Sequence, residues 1–144
     1  MISNQNEDLL EEIYKATKMG FEATQLVIPK VEDTGLRDDI KVQRDCYEDF
    51  AEKSEEMLKQ SGKKPEEKGA MKKATLWGAI QLNTLADTTT EHLAEIMING
   101  TTMGIVDLTK KLNDLDDSDA EAKKLALDYL KREEEHIDAL KKHL

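Results

Sequence analysis

From Asn6 to Val31 the chain places Leu10, Ile13, Thr17, Gly20, Thr24, Val27 and Val31 at alternating steps of three and four. That spacing keeps side chains on one stripe of an α-helix, and no other regular structure lines them up. The stripe returns from Leu36 to Gln60 as Leu36, Ile40, Gln43, Tyr47, Phe50, Ser54 and Met57. It returns again near the end as Ala122, Ala126, Tyr129, Glu133, Ile137, Leu140 and Leu144. Long helices with one narrow apolar seam must pack against one another, which already points to a bundle.

The breaks are as legible as the seams. Pro29 removes a backbone donor and predicts a kink or an early end to the first helix. Glu32-Asp33-Thr34-Gly35 then reads as a tight turn, and Gly62 stops the second helix before a charged, solvated loop. Ser118-Asp119-Ala120-Glu121 is a capping box opening the last helix. Few other breakers exist, with Gly 7 and Pro 2 in 144 residues against 36% charged residues. Trp 1, Tyr 3 and Phe 2 leave the core to be built of aliphatic and Met side chains.

Residues 70 to 113 could form one helix, but ~44 residues rising ~1.5 Å each would overshoot the neighbouring helices by more than half. A second capping box, Thr88-Thr89-Thr90-Glu91 after Asp87, offers the break. The third bundle helix is therefore expected from Thr88 to Asn113. A shorter crossover helix over 70–85 would set Ala70, Met71, Ala74, Trp77, Gly78 and Leu82 against the bundle. The short turns near 34 and 116 make two antiparallel hairpins, and the long connection over 61–87 makes helices two and three parallel. The expectation is one domain over 1–144, an antiparallel four-helix bundle with one long crossover.

Charge and composition narrow the function. A formal net charge of −10 repels phosphate backbones and argues against nucleic acid. No stretch approaches the ~18–20 apolar residues of a membrane span, and the N-terminus lacks the features of a signal peptide. The lone Cys46 suits a reducing compartment, so a cytoplasmic location is expected.

The run Ala94-Glu95-Ile96-Met97-Ile98-Asn99-Gly100-Thr101-Thr102-Met103-Gly104-Ile105 and the closing Glu133-Glu134-Glu135-His136-Ile137 resemble the small ferritin-like bundle proteins of anaerobic bacteria. The resemblance covers nearly the whole chain, and its motifs are mostly packing motifs. It implies a ferritin-like fold, with metal only in members that keep the ligands.

A ferritin-like di-iron centre needs a Glu from each of two helices and Glu-x-x-His from each of the other two. Glu133-Glu134-Glu135-His136 is one such motif, with Glu133 at the centre of its stripe and His136 at the edge. At similar height the other helices offer Gly20, Ala23 and Thr24, then Gln43, Arg44 and Tyr47, then Ile96, Met97 and Gly100. These do not complete an oxygen-rich cluster, so no cofactor is expected, with iron at Glu133 and His136 as the alternative. Glu133 reads instead as the centre of a buried polar layer with Arg44, Gln43, Tyr47 and Thr24. His136 would be half-exposed.

Cys46 at the rim of its stripe reads as inert packing. No Cys-His or Ser-His-Asp arrangement can be read from the spacing, so an enzyme is not expected. Gly20, Gly100 and Gly104 face inward and suggest close helix approach; a pocket beside Gly20 and Gly100, lined by Met97, Met103 and Thr17, is the alternative. Asp107 and Lys111 would close the bundle's end by an ion pair. The function expected is binding or assembly, through a protein partner or self-association such as a homodimer. Iron binding at Glu133 and His136 and small-molecule carriage are the alternatives.

Overall fold

The computed structural model describes residues 4–63, 87–115 and 120–144. Four helices carry the architecture: α1 (Asn4–Val27), α2 (Thr34–Gln60), α3 (Thr90–Asp114) and α4 (Ala120–Lys141). At 22 to 27 residues they run about 33–40 Å each, so they match in length.

Local chemistry sets the ends. The α-helix stops at Val27, and a 3-10 turn over Ile28–Lys30 takes Pro29 where its missing N–H costs nothing. Asp33 caps α2 by accepting from Leu36 N at 2.8 Å, so α2 begins inside the Glu32–Gly35 segment expected to be a turn. Arg37 folds back to hold the Val31 carbonyl at 2.7 Å, pinning the corner. Gly62, at φ +82°, lets Lys63 N reach Leu58 O and Gly62 N reach Lys59 O, which closes α2. At the head of α3 the capping residue is Thr89, whose hydroxyl accepts from His92 N at 3.3 Å, one residue later than expected. Asp87 supports it by accepting from Thr89 N at 2.9 Å. The expected crossover helix over 70–85 and the Ser118 capping box lie outside the described residues.

Two apolar clusters give the topology. One joins Val27 at the end of α1 and Val31 beyond it, Leu36 and Ile40 at the start of α2, Leu93, Ala94 and Met97 at the start of α3, and Leu140 at the end of α4. The other joins Leu9, Leu10 and Ile13 of α1 to Phe50 and Leu58 of α2, Leu108 of α3 and Ala122 to Tyr129 of α4. Both α2 and α3 therefore begin at the same end and run parallel, while α1 and α4 run against them. Two hairpins joined by one long crossover is the ferritin-like arrangement. Between the clusters lie Thr17, Thr24, Gln43, Thr101, Glu133 and His136, all buried. This mid-height polar band positions the site.

Candidate functional site

Glu133 stands on the inner stripe of α4 at 2% exposure, where a plain bundle would carry Leu. Its carboxylate is held from two sides. Oε2 accepts the Tyr47 hydroxyl at 2.9 Å and, more weakly, the Tyr129 hydroxyl at 3.4 Å. Oε1 lies 2.9 Å from Nδ1 of His136, one turn later on the same helix. Behind Tyr47, the Gln43 amide nitrogen donates to the Tyr47 oxygen at 2.6 Å and to the Thr101 hydroxyl at 2.9 Å. Thr101 passes its own proton to the Met97 carbonyl at 2.7 Å. The donors thus run in one sense, from Gln43 through Tyr47 to Glu133.

Helix α1 contributes space. A β-carbon on Gly20 would stand 2.6–2.8 Å from three ring carbons of Tyr47, so only glycine admits the ring there. The rings of Tyr47, Tyr129, Phe50 and His136 meet edge-on or tilted at centroid distances of 5.3–6.3 Å, which fixes both hydroxyls.

The electrostatics follow from burial. Removal from water first, then the Glu133 charge, raises both Tyr47 and Tyr129 well above the usual phenol value, so both stay protonated donors. For His136 burial opposes the charged ring, but the Cys46 sulfur and the Glu133 carboxylate together outweigh it and lift the pKa to about 9. At neutral pH the pair is therefore a buried imidazolium and carboxylate.

The layer is bordered by a cavity of about 130 Å³ between α1 and α3. Gly20, Ala23, Met97, Thr101, Tyr129 and Glu133 are part of its wall, with Glu12 and Asp107 also contributing. Gly104 lines it too, and a β-carbon there would meet nothing within 4 Å among the described residues.

Of the residues singled out in the sequence, Gln43, Tyr47 and Glu133 come together. Arg44 does not. Its guanidinium bonds Asp45 at 3.1 Å on the outer face of α2, because an adjacent carboxylate in water holds it without desolvation. His136 is 6% exposed rather than half-exposed, covered by the facing edge of α2. Thr24 turns to its own helix, donating to the Phe21 carbonyl at 2.6 Å. Gly104 borders open space instead of a close helix, and Thr17 is absent from the cavity wall. Asp107 is exposed. Thr101 and Tyr129 were missed as polar members; each lies on its helix's inner stripe, and that position was the available signal.

Among the described residues no group of three or more His, Cys, Asp and Glu is placed to hold a metal ion. Oε1 of Glu133 and Nδ1 of His136 bond each other, and both phenols occupy Oε2, so this donor set does not fit a di-iron centre.

Four matched helices with a parallel central pair define a ferritin-like four-helix bundle. The chain is similar to a mutant of Dps1 from Mycobacterium smegmatis, with a TM-score of 0.80 at 19% identity over 99% of each chain. It is also similar to a fragment of a DUF305 protein from Deinococcus radiodurans. That match has a TM-score of 0.74 at 15% identity, over 97% of this chain and 95% of the other. Identities this low speak for the fold alone. No family model and no curated protein matches the chain. Among the described residues no helix is long and apolar enough to cross a membrane.

Proposed function

We propose that this bundle binds a small cationic amphiphile in the cavity between α1 and α3. The supporting observation is the cavity's position directly against the buried Glu133. Its volume, about 130 Å³, approaches the ~150 Å³ that admits benzene in an engineered protein core. Apolar walls of Ala, Gly and Met would take a short hydrocarbon, and the flexible Met side chains adapt to its shape. Among the described residues three carboxylates, Glu12, Asp107 and Glu133, share the lining with no basic residue, which favours an ammonium head over an anionic one. The phenol faces of Tyr47 and Tyr129 add cation–π attraction.

The test is calorimetric titration with an alkylammonium, an alcohol and a carboxylate of equal chain length. The ammonium should bind best and the carboxylate least. Equal affinity for all three, or the carboxylate binding best, would reject the reading. Gly104→Leu, which fills open space, should abolish ammonium binding while leaving the fold intact.

A further inference from the structure

The cavity between α1 and α3 has its carboxylates at two separate levels. Its wall follows α1 from Glu12 to Ala23 and α3 from Met97 to Leu108. The two helices run antiparallel, so Glu12 and Asp107 mark the same end. Glu133 belongs to the level of Gly20 and Thr101: Gly20 abuts the Tyr47 ring, the Tyr47 hydroxyl bonds Glu133, and Gln43 links that hydroxyl to Thr101. Glu12 lies eight positions before Gly20, and Asp107 six positions after Thr101. At about 1.5 Å per residue the two levels stand about 9–12 Å apart. Between them the wall is Ala16, Met19, Met103 and Gly104, with no charged group among the described residues.

The two poles differ in chemistry. At the inner one, a carboxylate offers about four acceptor sites, and Tyr47, Tyr129 and His136 take three of them. Glu133 thus retains an acceptor site for one more donor, with the phenol faces beside it. The outer pole is uncompensated. Glu12 is half-buried, Asp107 is exposed, and neither has an ion-pair partner among the described residues. The pair expected between Asp107 and Lys111 does not form. Met103, beside this pole, is 57% exposed, so the outer end faces solvent among the described residues. A cation held there keeps part of its hydration while it meets two negative charges.

We propose that the guest of this cavity is a short aliphatic diamine, with one ammonium at Glu133 and the other between Glu12 and Asp107. The proposal rests on the reading of the cavity as a cation site and adds the second charge and the length. With each ammonium about 2.8 Å from its carboxylate, the two nitrogens stand about 6–9 Å apart. An extended chain gains about 1.25 Å per bond, so about four to six carbons between the nitrogens span this distance. The apolar wall between the poles suits the methylenes. A guest with one ammonium would leave a methyl group at the outer carboxylates, where it gains nothing from their charge.

The experiment is calorimetric titration of the full chain at pH 7 and low salt, where both amines of each diamine are protonated. It compares 1,5-diaminopentane with 1-aminopentane, and 1,3-diaminopropane with 1-aminopropane. The pentane diamine should bind at least about fivefold tighter than its monoamine. The propane diamine is too short to bridge the poles and should gain no more than about twofold, the statistical factor for two equivalent ends. Glu12→Gln combined with Asp107→Asn should reduce the pentane diamine's advantage to about twofold and leave 1-aminopentane within about twofold of its parent affinity. If 1-aminopentane binds and the pentane diamine binds no tighter, the second pole is overturned and the cation site stands. An equal advantage for the propane diamine overturns the span. Equal weakening of monoamine and diamine in the double variant overturns the outer pole. If no amine binds, the cation site itself is overturned and the diamine with it.

Discussion

Gly20 and Tyr47 occupy one space between them: a β-carbon on residue 20 would stand 2.6 Å from Cζ of the ring. The ring cannot retreat freely, because its hydroxyl is bonded at 2.9 Å to Glu133 and at 2.6 Å to Gln43. Gly20→Ala should therefore destabilise the fold by about 1–3 kcal/mol, although alanine is the better helix former. Gly104→Ala meets no atom within 4 Å among the described residues and should instead stabilise by about 0.5–1 kcal/mol. Urea unfolding of the two variants reads both signs; the same sign for both would contradict the geometry.

The two phenols should separate cleanly. Tyr47→Phe removes a 2.9 Å donor to Glu133 and strips Gln43 of an acceptor, so a loss of about 1–3 kcal/mol is expected. Tyr129→Phe removes only a 3.4 Å contact and should cost under about 1 kcal/mol. Chemical denaturation midpoints at matched slope decide between them.

Stability should fall on the alkaline side of neutrality. His136 rises from 6.5 to about 9 on folding. Below about pH 6.5 the ring is charged in both states and its contribution is complete. As pH rises, the unfolded chain loses the proton first, and the contribution is gone once pH passes about 9. Discounted for residual solvent, the loss is about 2 kcal/mol. Thermal melts from pH 6 to 10 should show this slope in the parent and not in His136→Gln.

Arg44 should prove dispensable. It pairs with Asp45 across 3.1 Å at the surface, so Arg44→Ala should change stability by less than about 0.5 kcal/mol. Combined with Glu133→Gln, the effects should simply add, which a double-mutant cycle measures directly.

The seams were readable because burial in a helix follows the wheel: Leu10, Ile13, Leu36, Ile40, Ala122 and Ala126 are all fully buried. Helix length was readable too, and with it the parallel central pair. What stayed hidden lay at the edges of the stripes. Cys46 and His136 each look marginal on their own helix, yet the edges of α2 and α4 face each other and bury both. A wheel describes one helix and cannot place its neighbour's edge. Arg44 failed for a related reason: its neighbour Asp45 holds it in water, and pairing with Glu133 would have carried the cost of desolvation. Gly104 shares its stripe with Leu108, yet it borders space while Leu108 is fully buried, a difference in helix separation that spacing does not encode.

The two oxygens of Glu133 belong to one delocalised carboxylate, but they serve different neighbours: phenols and a cavity on one hand, His136 on the other. Electron density drawn toward one oxygen is withdrawn from the other. A guest that donates to Glu133 from the cavity thereby loosens its grip on the imidazolium. Thermodynamic reciprocity makes the converse compulsory: whatever factor the guest imposes on proton binding at His136, the proton imposes on the guest. A solute on the α1–α3 side and the charge on His136 are thus two readings of a single equilibrium.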